Sequence, residues 1–489
     1  MANAQISNFQ FFTITPAELR GVLCRSGCGT VTQSGKMTRP LLLLFTALAG
    51  LGAQTFEYNG DYLTDAAHPR LFLPARRAKL LARETTRDAL RWVQFSTFIR
   101  GNVKMPEPGF ALSLYYVATQ SQEHGRQAVE WALSAAATDL RQLAIVFDWC
   151  QPLLKPEESK ALVTKIEGLL TKTAAAQDLP AVRDRVVAAL AISGHTESAP
   201  HTRYIKPAVE VWWKARIVEP IQKGATPIDL RDHLPLLELL HALRDNLEID
   251  LRETAKKHFA FLPVYHLLAH YPAPFPGAEN EYRVPLMKTH GEPDPREMAR
   301  SRAAALAMVA YDNNAQEMQF LQGWLIQDRF LLRSTYGIPY EFLWANPYQP
   351  GLSFHYLPNV FHDSASGRLI IRSTWEDDAV WYYQAGGVVQ MFREGRVINM
   401  KQEQIDKQID MGNTILLPSN LSSKFDVNSG DSVLHYYVVG LTPAGRYELE
   451  VDDEEMREVK TDPGGVLELN FPKERTAGVL LHASAAAGR

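Results

Sequence analysis

The chain has 489 residues, 46% of them hydrophobic and 22% charged, with a formal charge of −4 and three cysteines. That length exceeds one ordinary core and suits two domains, and the composition is globular. The charge excludes a general nucleic-acid binder, which needs a concentrated basic surface, although a local basic cleft for a polyanionic sugar is compatible with it.

The first element in the chain is Met37-Thr38-Arg39-Pro40 followed by an apolar run from Leu41 and small residues up to Ala53. A positive start, a short apolar stretch and small residues read as a secretory signal over 37–53, with the mature protein periplasmic or secreted. The run is shorter than the roughly 20 residues a bilayer span takes, so no stable membrane span is expected after cleavage. Residues 1–36 then read as an upstream mis-start extension with no role in the fold. Cys24 and Cys28 fall in that extension, which leaves Cys150 alone. One cysteine gives no disulfide framework and no thiol cluster, so neither a metal nor a cofactor is expected.

From about 75 to 335 apolar residues recur at three- and four-residue spacing. The spacing predicts helices over 75–84, 110–120, 123–137, 140–153, 156–172 and 180–192, then 206–221, 234–247, 251–268, 296–311 and 314–333. Short connections imply consecutive antiparallel pairs, and no fixed repeat period appears, so an irregular α/α toroid over 60–337 is expected. A Pro/Gly/Asn-rich stretch, 338–358, reads as the boundary. Beyond it the period changes to alternation, with strands at 367–373, 379–384, 388–392, 413–417, 433–439, 447–451, 466–471 and 478–482. The fold class is α+β multidomain, the helical domain being followed by an antiparallel β-sandwich over 355–485.

Two segments carry the candidate chemistry. On helix 234–247 the leucines 236, 239, 240, 243 and 247 share one third of the circumference. His233, Glu238, His241, Arg244 and Asp245 cover a separate arc, either lining a cleft or forming a solvated face with a His241–Asp245 pair. The proline-stiffened loop from Tyr271 carries Glu279, Asn280, Glu281, Tyr282 and Arg283, and is either a site element or an ordered connection. A third group, Tyr340 to Tyr348 with Trp344, reads as packing ahead of a sugar platform. Nucleophile-elbow, phosphate-loop and zinc-protease motifs are absent.

His68-Pro69-Arg70-Leu71-Phe72-Leu73 resembles the opening of heparinase II/III-like and alginate-lyase-like proteins. Leu369-Ile370-Ile371-Arg372-Ser373-Thr374-Trp375-Glu376-Asp377-Asp378-Ala379 resembles the strand pair that starts their sandwich. The resemblance spans about 60–480, and it implies β-elimination on a uronate-containing polysaccharide. Such chemistry needs groups that neutralise the uronate carboxylate, a base for the C5 proton and an acid for the leaving oxygen. The chain departs from the family pattern: it has no Asn-His dipeptide, and Ala385-Gly386-Gly387-Val388-Val389-Gln390 stands where a sandwich histidine is expected. Chemistry alone then nominates Tyr282 as base or acid with His233 or His241 as partner. Arg244, Asn246, Glu279, Asn280 and Arg283 are nominated for substrate binding. The competing functions are a non-catalytic glycan-binding scaffold on the same fold and a glycoside hydrolase using two of Glu238, Asp245, Glu279 and Glu281.

Overall fold

Apolar residues at helical spacing fold into α1 (Ala75–Thr86), α2 (Leu90–Arg100), α3 (Pro108–Thr119), α4 (Gln122–Leu133), α5 (Leu140–Trp149), α6 (Pro156–Thr173) and α7 (Leu179–Ile192). π-type turns between His201 and Val218 lead into α8 (Glu219–Gln222), and α9 (His233–Leu247) and α10 (Lys256–Leu268) follow. A short hairpin, β1 (Phe275–Pro276) and β2 (Glu281–Tyr282), precedes α11 (Pro295–Tyr311), α12 (Gln316–Asp328) and α13 (Ile338–Trp344). The computed structural model describes residues 62–64, 67–276, 281–287, 293–328, 331–401, 405–420, 425–428, 435–471 and 476–483, with backbone alone for Pro276, Glu281, Tyr282 and 425–428. The expected signal and extension lie outside the described residues, as do Glu279 and Asn280.

Packing passes from α3 to α5, α7, α9, α11 and α13, and α13 then meets α2 and α3. Helix α9 sits within that series and is buried from His233 through Leu243. Two helices differ from the sequence expectation. Helix α2 is rich in aromatic and β-branched residues, poor helix formers on their own, and it forms because Trp92, Phe95 and Ile99 bury together. Helix α13 lies inside the expected boundary stretch; its seven residues are all buried, so no polar face marks a period. After it the chain crosses α12 where Gly323 and Gly351 meet, and a Cβ on Gly323 would lie 1.8 Å from the Leu352 carbonyl oxygen.

The strands are β3 (Val360–Asp363), β4 (Arg368–Arg372), β5 (Trp381–Ala385), β6 (Val388–Arg393), β7 (Arg396–Met400), β8 (Ile409–Asp410) and β9 (Thr414–Leu417). Then come β10 (Phe425–Asn428), β11 (His435–Val438), β12 (Arg446–Val451), β13 (Glu455–Lys460), β14 (Leu467–Asn470) and β15 (Thr476–Ala483). They form three sheets, ordered β3-β4-β5-β6-β7, β14-β11-β9-β8 and β10-β15-β12-β13. The purely antiparallel sandwich expected from sequence is corrected at one pair, since β9 and β11 run parallel.

Strand alternation sets the layers. From the first sheet Ile370, Trp381, Tyr383 and Phe392 join the helical core. Their neighbours Leu369, Ile371, Tyr382 and Met391 pack with Leu416 and Tyr437 of the second sheet. The opposite face of that second sheet, Ile415, Leu417, Tyr436 and Val438, packs on Tyr447, Leu449, Val451 and Val479 of the third. The second sheet is therefore covered on both faces, and the chain from Tyr58 to Arg489 is one compact unit.

Both family-like motifs do structural work. The Asp148 carboxylate accepts the backbone N–H of Arg70 and Leu71, each at 2.8 Å, and lies 2.6 Å from His68 Nδ1. The Trp149 indole donates to the Leu71 carbonyl. In the second motif Trp375 donates to the Leu357 carbonyl at 3.0 Å, and Asp377 accepts from Arg283 at 2.7 Å.

His362 on β3 is held between Asp462 at 3.0 Å and Glu468 at 2.9 Å. Burial opposes its charge, but those two hydrogen bonds outweigh burial and raise its pKa to about 9. Because the folded value lies above the unfolded one, its stabilisation is complete below about pH 6.5 and is lost as pH rises through 9. The loss should amount to about 2 kcal/mol, discounted because Glu468 is partly exposed. Urea midpoints of wild type should fall between pH 6.5 and 9.5, those of His362→Gln should not, and equal slopes in the two proteins refute the assignment.

Candidate functional site

On α1 the residues Arg76, Lys79 and Arg83 recur at i, i+3 and i+7, so they share one exposed face. That face borders a cleft of about 580 Å³ whose far wall is the C-terminal half of α9, with His241, Arg244 and Asp245, and the segment from Trp344 to Gln349. Arg76 donates to Asn313 Oδ1 at 3.2 Å, and buried Arg77 donates to the carbonyls of Trp344 and Ala345, each at 3.1 Å. The Arg83 guanidinium lies 3.7 Å over the Tyr348 ring. Arg244 is 3.8 Å over Tyr311, donates to its carbonyl oxygen and pairs with Asp245 at 2.7 Å. Among the described residues five cations thus line the cleft, with Asp245 as its one carboxylate. Burial and the neighbouring Arg76 lower the Arg77 pKa to about 10, which leaves it charged at neutral pH.

Burial opposes ionisation of Asp245, yet its contacts with His241 and Arg244 outweigh burial and lower its pKa. Its Oδ2 is buried with no hydrogen-bond partner. His241 Nε2 lies 3.0 Å from the Ala307 carbonyl, which requires that nitrogen to carry the proton. Its Nδ1 faces Asp245 Oδ2 at 3.7 Å and Arg244 Nη2 at 3.4 Å, and burial, against the opposing pull of the Asp245 carboxylate, lowers the pKa of the ring.

Of the other nominated residues, those whose side chains are described do not line this cleft. His233 begins α9, two turns earlier, and is fully buried with Nδ1 2.9 Å from His266 Nδ1. Burial, followed by the charges of His270, His258 and Arg368, lowers its pKa to about 3. His270, buried beside the same cluster, falls to about 4. Groups with folded values below 6.5 stabilise the fold above that pH and withdraw the stabilisation as pH drops towards 4. Glu238 is fully buried against Arg141 and Arg183. Asn246 donates to the Ala242 carbonyl at 2.8 Å and the Arg70 carbonyl at 3.3 Å. Arg283 binds the Pro272 carbonyl and Asp377 and lies 3.4 Å from Asp328, so it ties the hairpin loop to α12 and to the β4–β5 turn. The side chain of Tyr282 lies outside the described residues.

Of the residues nominated from the sequence, His241 and Arg244 line this cleft, and the basic face of α1 was not among the nominations. The signal was present in the spacing of Arg76, Lys79 and Arg83. Among the described residues no group of three or more His, Cys, Asp or Glu could hold a metal ion, and no helix is long and apolar enough to cross a membrane.

No family model matches the chain, and no curated protein matches it significantly. Among solved structures it is similar to heparan sulfate lyase HepC from Pedobacter heparinus, at 11% identity over 76% of this chain and 75% of that one, with a TM-score of 0.35. A mutant of that lyase gives the same figures. A structure described as a glycoside hydrolase is 9% identical over 86% of this chain and 77% of that one, with a TM-score of 0.29. Likeness at these levels assigns no activity.

Proposed function

We propose that the protein is an exported polysaccharide lyase that holds a uronate-containing glycan in the cleft between α1 and α9. The observation that carries this reading is the set of five cations facing a single carboxylate around a 580 Å³ cleft, with the Tyr348 ring on its wall. Guanidinium groups neutralise and clamp a carboxylate in the planar, two-pronged geometry that makes the neighbouring C–H acidic. An aromatic face suits the apolar C–H face of a sugar ring. His241 Nδ1, unprotonated at neutral pH, is the base that this cleft offers. The return of the helix series from α13 to α2 and α3 supports the irregular α/α toroid as the frame. Export through 37–53 belongs to the same reading and predicts a mature N-terminus just after Ala53.

One observation favours a second reading, a glycan-binding scaffold without catalysis. His241 is only 3% exposed, so a substrate proton reaches it only if the cleft opens. A hydrolase needs two carboxylates across the cleft, and among the described residues this one is lined by Asp245 alone.

Incubation of the mature protein with a panel of uronate polysaccharides separates these readings. A rise in ultraviolet absorbance from unsaturated product is the expected result. Reducing ends without that absorbance identify a hydrolase, and retained binding with neither signal identifies the scaffold.

A further inference from the structure

The α9 wall of the basic cleft carries a carboxylate oxygen without a partner, on Asp245. The side chain is 8% exposed and borders the cleft. Its Oδ1 receives Arg244 Nε at 2.9 Å and Arg244 Nη2 at 2.7 Å. An arginine facing a carboxylate normally sets two N–H groups on two oxygens, fork against fork. Here the guanidinium is held elsewhere, because it donates to the Tyr311 carbonyl and lies 3.8 Å over the Tyr311 ring. Both of its contacts with Asp245 therefore fall on one oxygen. Oδ2 is left buried with no hydrogen-bond partner among the described residues. His241 Nδ1 faces it at 3.7 Å, which is beyond hydrogen-bond reach.

A carboxylate oxygen kept from water and left unpaired is destabilising, and a ligand that brings a donor to it removes that penalty. Arg76, Arg77, Lys79, Arg83 and Arg244 surround the same space and repel an ammonium group. The donor that fits is a neutral hydroxyl. A uronate ring carries such hydroxyls beside its carboxylate, so one sugar can meet the guanidinium groups and Asp245 together.

We infer that Asp245 accepts a hydrogen bond from a free ring hydroxyl of the bound sugar, which makes the cleft selective for uronate glycans without a sulfate ester at that position. The inference rests on a glycan occupying this cleft, though not on its cleavage. Solvent does not reach Oδ2, so the hydroxyl meets it with the same opening of the cleft that admits a substrate to His241. The selection runs against the surrounding charge. Five cations alone would favour a sulfated glycan, since each sulfate adds an anion. A sulfate facing Asp245 instead replaces the donor by an anion and sets it against a carboxylate, an arrangement that is strongly disfavoured. Specificity of this kind comes from the repulsive group as much as from the attractive ones.

The test titrates the full chain by calorimetry at low salt. The probes are tetrasaccharides of alginate, polygalacturonate and unsulfated chondroitin, each beside its O-sulfated and O-acetylated derivatives. At least one parent is expected to bind, and its sulfated derivative to bind about tenfold more weakly, the effect of one hydrogen bond to a charged group. The acetylated derivative loses the donor and gains bulk without charge, so it should weaken as well. Asp245→Asn keeps the size of the side chain and removes its charge. It should reverse the order of parent and sulfated derivative and leave the acetylated one weak, whereas bulk alone predicts no reversal. The comparison within wild type decides the matter even if the Tm of the variant shows that it unfolds. Equal or tighter binding of the sulfated derivative by wild type overturns this inference alone, because a glycan still binds. An unchanged order in folded Asp245→Asn does the same. Binding of no parent overturns the glycan reading of the cleft and this inference with it.

Discussion

Replacing Glu238 by leucine is expected to destabilise the protein by about 3–5 kcal/mol, the cost of leaving a buried charge without its partner. The carboxylate is fully buried on α9 and receives Arg141 Nε of α5 at 3.0 Å, Arg141 Nη2 at 2.5 Å and Arg183 of α7. Arg141 is itself buried, lies 5.0 Å over the Phe110 ring and has Glu107 as a more distant counter-charge at 3.8 Å. Leucine would therefore strand the Arg141 guanidinium in the interior, whereas Arg183 at its edge would keep Asp184 at 2.6 Å. The sign of the cure distinguishes this cause from simple loss of packing. Adding Arg141→Met to Glu238→Leu should recover part of the stability, because it removes the stranded charge. Packing loss alone predicts that the second substitution subtracts further. Urea unfolding of the three proteins measures both values, and a Glu238→Leu cost under about 1 kcal/mol contradicts the argument.

The same residue shows how far the sequence could be read. The helical wheel separated the leucines of α9 from His233, Glu238, His241, Arg244 and Asp245, and only the last two reach the cleft as partly exposed side chains. A wheel treats one helix against solvent. In this fold α9 packs against α7 and α11, so the polar arc meets other helices. Its charges are satisfied by Arg141 and Arg183, 97 and 55 residues away in sequence. Pairing at such separation leaves no mark in local periodicity. The strand-rich half was legible in the same partial way. Alternation marked β4, β5 and β6, whose two faces serve two different cores. It could not mark β13, whose Glu455–Lys460 run is almost wholly exposed, or the parallel pairing of β9 with β11. The cleft itself needed α1, α9 and the segment after α13 to converge. Three separate stretches of sequence each carried a fragment of it, Arg76 to Arg83, His241 to Asp245 and Trp344 to Gln349.

That convergence gives the second large expectation. Replacing both Arg76 and Arg83 by alanine should weaken binding of a uronate polysaccharide about thirtyfold at low salt, taking about 1 kcal/mol for each cation near the protein surface. The fold should be little affected, because both side chains are exposed and, among the described residues, neither pairs with a carboxylate. Arg77 would be a poor choice for this experiment, since it is buried and braces the Trp344 and Ala345 carbonyls, so its loss confounds affinity with stability. Salt dependence supplies the internal check. If the two arginines act as charges, wild type should lose affinity steeply as ionic strength rises and the double variant less steeply, the two converging where the Debye length falls to about 3 Å near 1 M salt. If Arg83 acts instead by holding the Tyr348 ring in place, Arg83→Lys should fail to restore binding at any salt concentration, since an ammonium group lacks the flat stacking face of a guanidinium. Unchanged affinity in the double variant would remove the basis for an acidic glycan in this cleft. A loss that parallels charge, with unsaturated product formed by wild type, would tie the cations of α1 to the substrate carboxylates.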